Sequence, residues 1–389
     1  MPPKTPAKPT GTGSTATTTG ASNRVGKPKP KSAAPKLTRP KPGQLPKHYR
    51  RAVFKEKGGD LSLEMVELKP PGANEILVKV EACGVCFSDT YSQYNAHNVE
   101  FPLCPGHEII GRVASIGSNV VSWKVGQRIG SGWYGGSDGT CFNCHNGYFQ
   151  MCENGVVNGV GKNGGYAEYC LINQEAGVVV PNNIKAEIAA PLLCAGVTVY
   201  NTLKRANLNP GSNIVVQGMG GLGHLAIAYG RAMGHRIIVV SRGKTKEQDA
   251  YRLGASVYID SAKLTPETLP EAIKKTGLIS LAITTAPKGE VISPLVTALG
   301  PEGKLMVLSV PEGGEQPLPV SVYHMLIRGL TVGSWPSGHS RDSEEAVSFA
   351  VLNGIETWTD AYPLEKANEA FKHMLSGGSK YRTVITMPK

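Results

Sequence analysis

The sequence lacks any long uninterrupted apolar run, and its first residues lack the apolar core of a secretory signal. A membrane-spanning helix needs about 18 to 20 consecutive apolar residues, and no stretch approaches that length. We therefore expect no membrane partner and a cytoplasmic, reducing location. In such a compartment clustered cysteines indicate metal or redox chemistry rather than disulfides.

Acidic residues are absent from residues 1–51, which hold 12 of the 41 Lys and Arg residues. The rest of the chain then has 29 basic against 30 acidic residues, so the net charge of +11 comes from this one segment. Residues 1–48 are rich in Pro, Thr and Lys and poor in large apolar residues, which predicts a disordered basic tail. A tail that binds a polyanion is the alternative, but nucleic acid is not favoured as a partner.

The remainder of the chain changes its pattern at about residue 190. Over 49–190, short β runs alternate with Gly and Pro turns, which predicts a β-rich domain. An Ala-rich helical stretch, 186–204, leads into alternating strand and helix signals over 191–335, which predict βαβ units around a doubly wound parallel sheet. Residues 336–389 predict two helices and a closing strand. The fold class is therefore α/β.

A glycine-rich turn lies between a strand and a helix in the second region. The strand 213–217 is followed at once by Gly218-Met-Gly-Gly-Leu-Gly223, and an apolar helix continues from there. Glycines in this context permit a tight turn, close approach of a pyrophosphate and close packing of helix on strand. The predicted cofactor contacts here are Gly218, Gly220, Gly221, Leu222 and Gly223.

The next strand, 236–240, has no acid directly after it to pair with ribose hydroxyls. It leads instead into Ser241, Arg242 and, a little later, Lys246. Hydroxyl and cationic groups suit a 2′-phosphate, so NADP(H) is favoured over NAD(H). A solvated loop without a role in cofactor choice is the alternative.

Several Cys and His residues are candidates for metal ligands, but each is weak when taken alone. Cys86 could belong to a redox pair with Cys83, His107 could be a hydrogen-bonded loop residue, and Cys194 could be a small core residue. Residues 137–152 contain three cysteines in sixteen residues, a spacing typical of a metal site.

In their order along the chain, Gly84-Val-Cys-Phe-Ser-Asp89, Pro105-Gly-His-Glu108 and Cys194, ahead of the glycine turn, resemble the zinc-dependent medium-chain alcohol dehydrogenases. The resemblance covers about residues 49–389 and includes the NADP-dependent cinnamyl-alcohol-dehydrogenase-like and microbial branches. It implies a GroES-like catalytic domain (49–190), a Rossmann nucleotide-binding domain (191–335) and a C-terminal segment (336–389) that returns to the first domain. It also implies a homo-oligomer, dimer or tetramer, with contacts in residues 291–335.

The same resemblance implies two zinc sites. The catalytic zinc is assigned to Cys86, His107 and Cys194, with Glu108 as a nearby carboxylate that can approach the metal. The second, structural zinc is assigned to a set in which Asp replaces the first of four cysteines: Asp138, Cys141, Cys144 and Cys152. A loop that has lost its metal is the alternative for the second set.

The implied activity is reversible hydride transfer between NADP(H) and an alcohol and its aldehyde or ketone, a small-molecule substrate. The resemblance gives roles to five further residues: Ser88 as proton relay, Asp89 as the acid that orients His107, Trp133 in the substrate pocket, Thr198 beside the nicotinamide and Arg382 on a phosphate. For Trp133 plain core packing is the alternative.

Two other functions stay open at this point. One is a zinc-stabilised binding protein that keeps the cofactor fold and uses the basic tail on nucleic acid. The other is reduction of a conjugated carbon-carbon double bond, as in a related branch that has no zinc. This branch has no use for a set of two cysteines and one histidine.

Overall fold

The computed structural model describes residues 44–286, 288–309 and 317–388. Most of the predicted basic tail, residues 1–43, lies outside these ranges. The described chain begins just before a strand that starts at His48, so the last residue of the predicted tail belongs to a strand.

Two large sheets and two small sheets of two strands each organise the described residues, and the strands are numbered along the chain. They are β1 (His48–Phe54), β2 (Leu61–Glu67), β3 (Glu75–Val85), β4 (Ile109–Ile116), β5 (Arg128–Ser131), β6 (Tyr134–Gly136), β7 (Val156–Val157), β8 (Tyr169–Asn173), β9 (Val178–Val179), β10 (Asn213–Gln217), β11 (Arg236–Ser241), β12 (Val257–Asp260), β13 (Ile279–Thr284), β14 (Leu299–Val307), β15 (Thr331–Gly333), β16 (Thr359–Pro363) and β17 (Arg382–Thr386).

The first sheet has the strand order β16-β17-β3-β4-β5-β9, and β8 also pairs with β3. Its central pairs are antiparallel, for example Cys83 opposite Ile109 between β3 and β4. Strands β16 and β17 come from the end of the chain, and β17 pairs with β3 in this sheet. The apolar residues of this sheet form a core with α12 (Ala367–Leu375), in which the Phe54 and Phe371 rings meet at 5.5 Å.

The second sheet has the order β12-β11-β10-β13-β14-β15, and all of its pairs are parallel. The strands that follow β10 in the chain are added first on one side of it (β11, β12) and then on the other (β13, β14, β15). This change of direction defines a doubly wound Rossmann sheet. Its central strands are buried on both faces, as the continuous apolar run at 214–216 predicts. The predicted GroES-like and Rossmann fold class is confirmed.

Helices cover both faces of the second sheet and join it to the first. Besides α12, they are α1 (Thr90–Gln93), α2 (Phe142–His145), α3 (Ala186–Ala189), α4 (Ala195–Ala206), α5 (Gly223–Ala232), α6 (Glu247–Arg252), α7 (Leu269–Lys274), α8 (Gly289–Ile292), α9 (Pro294–Ala298), α10 (Val322–Arg328) and α11 (Ser340–Leu352).

The Ala-rich stretch 186–204 differs from the continuous helix that its composition predicts. Helix α3 passes into a 3-10 turn, Ala190–Leu193. The helical conformation is interrupted at Cys194, and α4 begins at the next residue. The two helical parts are bent by 51° at this point. Pro191 lies within the turn and has no N–H to donate, which weakens helical hydrogen bonding there.

Within the described ranges no single helix is long and apolar enough to cross a membrane. The helical segments Ala186–Leu193 and Ala195–Ala206 meet the length and hydropathy requirement for a membrane span only when the two are counted together. Many residues of this pair lie in the core shared with β10 and α5.

Candidate active site

Two strand ends and a helix break meet at one point between the domains. Strand β3 ends directly before Cys86, and its antiparallel neighbour β4 begins directly after His107 and Glu108. A backbone hydrogen bond of 3.0 Å from the Gly84 N–H to the Glu108 carbonyl joins these two ends. Cys194 reaches the same point from the helix break, where its backbone (φ −127°, ψ −73°) is not helical.

The side chains at this point form a cluster of potential metal ligands. The ligand atoms of Cys86, His107, Glu108 and Cys194 all lie within 4.8 Å of one another. The two sulfur atoms are 4.0 Å apart, and a tetrahedral site with Zn–S distances of about 2.3 Å places its sulfurs about 3.8 Å apart.

Three buried atoms of this cluster make no hydrogen bond within the described part of the chain: His107 Nδ1, His107 Nε2 and Glu108 Oε2. Nδ1 lies 3.1 Å from Asp89 Oδ1, which leaves Nε2 and Oε2 without a polar neighbour of this kind. Leaving such atoms unpartnered in the interior is costly, and a cation between them and the thiols removes the cost. Two thiols and an imidazole are the donors that a catalytic zinc site uses, so this set fits Zn²⁺.

The two thiols differ in how readily they ionise. Contact with Cys194 lowers the pKa of Cys86 well below its ordinary value, and His107 adds to this effect against the opposing effect of burial. The same contact, together with burial, raises the pKa of Cys194. Cys86 is therefore the first of the pair to become a thiolate, which is the form that binds metals.

Asp89 lies where an acid that orients His107 must lie. Its Oδ1 is 3.1 Å from His107 Nδ1, and both side chains are fully buried. Its Oδ2 accepts hydrogen bonds from the Cys86 N–H (2.9 Å) and the Tyr166 hydroxyl (2.7 Å). Burial lowers the pKa of His107, but the Asp89 carboxylate and the Cys86 thiol together raise it well above its ordinary value. Nδ1 thus faces the acid, and Nε2 is left for the cluster.

Glu108 forms a fully buried ion pair with Arg382, whose Nη2 donates to Glu108 Oε1. Burial raises the pKa of Glu108 to about 7, although Arg382 acts in the opposite sense. Arg382 also touches the glycine turn, because a Cβ at Gly221 would lie 2.9 Å from its Nη1. A Cβ at Gly84 would overlap the Glu108 carboxylate, so only glycine fits there. Arg382 therefore connects the cluster with the second domain.

Trp133 stands at the edge of the cluster. Its ring meets the His107 ring edge-on, with centroids 4.9 Å apart and an interplanar angle of 85°. The side chain is half-buried and lines a cavity of about 240 Å³, together with Phe149 and Gln150. Trp133 therefore belongs to the surroundings of the cluster and not to a remote core.

Ser88 and Thr198 both lie close in the chain to predicted ligands. Ser88 is half-exposed in the 3-10 turn Phe87–Asp89, directly after β3 and the Cys86 position. Thr198 lies one turn into α4 and donates its hydroxyl to the Cys194 carbonyl at 2.8 Å.

A second cluster lies in the loop around α2. The ligand atoms of Asp138, Cys141, Cys144 and Cys152 lie within 4.8 Å of one another. The Cys141 sulfur is 3.5 Å from that of Cys144 and 3.9 Å from that of Cys152. Three sulfurs at these separations fit the edges of a tetrahedral zinc site.

Asp138 has a second set of contacts in this loop. Its Oδ1 accepts hydrogen bonds from the Thr140 N–H (2.8 Å) and the Cys141 N–H (3.0 Å), and its Oδ2 accepts one from Asn154 (2.7 Å). The bond from Asn154 and these two backbone bonds lower the pKa of Asp138. The carboxylate is therefore ionised and also caps the turn before α2, which the sequence did not predict.

In the glycine turn after β10, the backbone requires glycine at two positions and leaves open space at a third. Gly218 has φ +89°, which few residues with a side chain adopt. A Cβ at Gly223 would overlap the Gly218 carbonyl, whereas a Cβ at Gly220 would meet no atom within 4 Å. The backbone at Gly220 is thus open to an approaching group at the start of helix α5, where anions are favoured. Leu222 caps this helix and packs on the core.

The segment after β11 places its charged groups around the same turn. Ser241 is half-buried at the strand end, and Arg242 is exposed. Lys246 reaches back and donates to the Met219 carbonyl at 2.7 Å. An acid on the adjacent strand, Asp260, accepts a hydrogen bond from the Gly243 N–H at 2.7 Å. The predicted cofactor residues of the glycine turn and of the segment after β11 therefore follow the carboxyl ends of two adjacent parallel strands, with an acid that sequence order did not reveal.

Sequence reasoning missed two contacts that shape the metal cluster. Tyr166 supports Asp89 from 77 residues away, and the Arg382 ion pair with Glu108 spans 274 residues. The position of Arg382 in the last strand predicted a phosphate contact and not the ion pair with Glu108. No motif near Tyr166 in the sequence indicates that Tyr166 contacts Asp89.

A β-rich domain, a doubly wound sheet with a glycine turn, and a cluster of potential metal ligands between them together form the arrangement typical of a dinucleotide-binding dehydrogenase. Residues 72–182 match the family model described as alcohol dehydrogenase GroES-like domain, and residues 221–351 match the model described as zinc-binding dehydrogenase. The chain is 52% identical over 343 residues to alcohol dehydrogenase notN of Aspergillus sp., covering 88% of this chain and 99% of that protein.

A second relative, alcohol dehydrogenase patD of Penicillium expansum, is 50% identical over 342 residues, covering 88% of this chain and 98% of that protein. Among solved structures, a cinnamyl alcohol dehydrogenase (SbCAD4) from Sorghum bicolor superimposes with a TM-score of 0.79 at 30% identity. That match covers 87% of this chain and 98% of the sorghum chain. The chain belongs to the medium-chain alcohol dehydrogenase family, as the order of its motifs predicted.

Proposed function

We propose that this protein catalyses reversible hydride transfer between NADP(H) and an alcohol with its aldehyde or ketone, and that it depends on zinc. The observation that carries the proposal is the cluster of two thiols, an imidazole and a carboxylate within 4.8 Å, with two buried ligand atoms left unpartnered in the described chain. Membership of the alcohol dehydrogenase family supports the oxidoreductase activity itself.

Cys86, His107 and Cys194 would hold the catalytic zinc, and the glycine turn with Thr198 would hold the dinucleotide. When bound, zinc supplies a Lewis acid that polarises the substrate oxygen, and the nicotinamide donates or accepts the hydride. Asp89 keeps the His107 ring in a single orientation, and burial of the cluster keeps bulk water away. Trp133, which packs edge-on against His107, would border the substrate and restrict its shape.

The experiment that tests the function combines metal analysis of the purified protein with a screen of NADPH oxidation over aldehydes and ketones. We expect bound zinc and turnover with at least one class of carbonyl compound. A zinc-loaded protein that oxidises NADPH with none of them, and reduces neither NADP⁺ nor NAD⁺ with alcohols, would contradict the proposal.

Ser88 is proposed to relay the proton between the substrate hydroxyl and solvent, because it is half-exposed and adjoins the ligand segment. Replacing Ser88 with Ala should lower turnover by roughly 10²-fold, the lower range for a lost acid–base group. Zinc content should stay the same, since no ligand is removed. Ser88→Thr keeps a hydroxyl and should retain most of the activity. Turnover of Ser88→Ala equal to that of the unaltered protein at every pH would exclude this role.

Asp138, Cys141, Cys144 and Cys152 are proposed to hold a second, structural zinc. We expect two zinc ions per chain, and Asp138→Cys should retain the second ion at least as well under chelator, because a thiolate is a softer ligand. Asp138→Asn can still accept the hydrogen bonds that Oδ1 makes with Thr140 and Cys141, but it loses the anionic oxygen. Under chelator, Asp138→Asn should therefore lose the second zinc ion before the unaltered protein and Asp138→Cys do. One zinc per chain in an active protein would show that this loop holds no metal.

NADP(H) is proposed as the preferred cofactor from the residues that follow β11. Arg242 is exposed beside Ser241, and no acid of the β11 strand end is available to bind ribose hydroxyls. Asp260 on the next strand pairs in register with Ser241, and its Oδ1 accepts the Gly243 and Ala262 N–H groups, which directs this oxygen to the backbone of the neighbouring loops. A 2′-phosphate therefore meets cationic and hydroxyl groups at this edge.

A homo-oligomer, dimer or tetramer, is proposed from the nucleotide-binding domain. Helix α10 exposes Val322, Tyr323, Leu326 and Ile327, each by more than half of its surface. Strand β15 is the outer strand of the same sheet in the described structure, so its free edge and this apolar face are available together. A second copy of the chain presents the same pair of features in return, which suits a symmetric contact.

The binding-protein alternative is not favoured. Its main argument would be the loss of a catalytic ligand, but Cys86, His107 and Cys194 are all present and lie together. The basic tail that would contact nucleic acid lies largely outside the described residues.

A further inference from the structure

Tyr381 crosses the boundary between the two domains. It directly precedes Arg382, which begins β17 of the first sheet, yet its ring is 8% exposed within the core built around β10 and α5. Its backbone has φ +72°, a conformation that bulky residues rarely adopt and that persists only when the surroundings impose it. Arg382 points to Glu108 of the metal cluster, whereas Tyr381 enters the nucleotide-binding domain.

Tyr381 packs edge-on against Trp358, with ring centroids 5.4 Å apart, and its other side-chain contacts lie around the glycine turn and the start of α6. Its ring centroid lies 5.0 Å from that of His224, in the first turn of α5, and the Lys246 ammonium lies 5.5 Å above the ring. Its hydroxyl donates to Asp249 Oδ2 at 2.8 Å. Lys246 in turn donates to the Met219 carbonyl in the glycine turn at 2.7 Å.

Lys246 and Asp249 are opposite charges three residues apart at the start of α6. Side chains at this spacing are neighbours and commonly form an ion pair. Across the described residues, however, no ion pair within 4.0 Å joins these two. Asp249 is occupied by the Tyr381 hydroxyl and lies 3.7 Å from Arg252, while Lys246 points to the glycine turn.

We propose that Tyr381 is a positioning residue for the cofactor, whose hydroxyl holds Asp249 away from Lys246 and so keeps the ammonium at the glycine turn for an anionic phosphate. The inference rests on the proposed function, because it assumes that a nicotinamide dinucleotide lies along this turn. It assigns a role in cofactor affinity to a residue that the sequence places in the first domain.

Direct binding of NADPH, followed by protein fluorescence, tests this role without relying on turnover. Tyr381→Phe keeps the ring but frees Asp249, and we expect its Kd for NADPH to rise roughly 5 to 10-fold, less than the loss of a whole charge-assisted hydrogen bond, because Lys246 itself stays in place. At saturating cofactor, kcat should stay within about twofold, because no group that touches the reacting atoms changes.

Asp249→Asn distinguishes this role from a merely structural one. With the charge removed, nothing draws Lys246 from the turn, so Asp249→Asn should bind NADPH at least as well as the unaltered protein. Adding it to Tyr381→Phe should restore most of the lost affinity, a non-additive result. Tyr229→Phe is the matched control, since it removes a hydroxyl donor of the same core, to the Ala346 carbonyl at 2.9 Å, and should leave the Kd unchanged.

An unchanged Kd for Tyr381→Phe would overturn the inference, and so would a double variant that binds NADPH no better than Tyr381→Phe alone. If the unaltered protein binds neither NADPH nor NADH, the proposed function itself fails, and this inference with it.

Discussion

Replacing Cys194 with Ala is expected to remove one zinc ion per chain and to lower kcat/KM by roughly 10³-fold or more, because a Lewis-acidic metal contributes several kcal/mol to the barrier. Cys194 lies 4.0 Å from Cys86, and neither His107 Nε2 nor Glu108 Oε2 has another partner within the described residues. Without the second thiolate the remaining ligands hold the metal poorly.

Cys170→Ala is the matched control for this experiment. Cys170 is also a buried thiol, but it lies in β8 and belongs to neither metal cluster. It should keep both zinc ions and nearly full activity, with only the stability change of a small core substitution. Elemental analysis together with steady-state rates decides the matter. Full activity of Cys194→Ala with zinc retained would remove Cys194 from the catalytic site.

The glycine turn and the ligand segments were predictable because they depend on local constraints. Gly218 needs a positive φ, Gly223 lies against the Gly218 carbonyl, and both requirements are visible in the spacing of glycines between a strand and a helix. The ligand segments at Cys86 and His107 lie at neighbouring ends of paired strands, so their place in the β-rich domain followed from the strand pattern.

The contacts between segments could not be predicted in the same way. The break at Cys194 interrupts a stretch rich in good helix formers, and local propensity alone favours a continuous helix there. Tyr166 and Arg382 reach their acidic partners only through the folded sheet, across 77 and 274 residues. Asp260 reaches the end of β11 from the next strand, so a search along the sequence after Ser241 does not find it.

Cofactor preference gives the second large expected effect. If Arg242 makes one charge-assisted contact of about 1.5 to 3 kcal/mol with a 2′-phosphate, Arg242→Ala should weaken NADPH roughly 10 to 150-fold. NADH lacks that phosphate, so its affinity should barely change. Arg341→Ala is the matched control, because Arg341 is an exposed arginine in the first turn of α11, where its ion-pair partners are Glu344 and Glu345.

Ser241→Asp should go further and reverse the preference. An acid at the end of β11 repels a 2′-phosphate and offers a partner to the two ribose hydroxyls, so it acts on both cofactors in opposite directions. The side chain is half-buried at this position, where repulsion is screened less than at the open surface. Ser241→Asn adds a side chain of similar size without the charge, and should weaken NADPH much less. The steady-state constants of the unaltered protein for both cofactors are measured first. If its kcat/KM with NADH equals or exceeds that with NADPH, the assignment to NADP(H) is wrong, and Arg242 has no phosphate to bind.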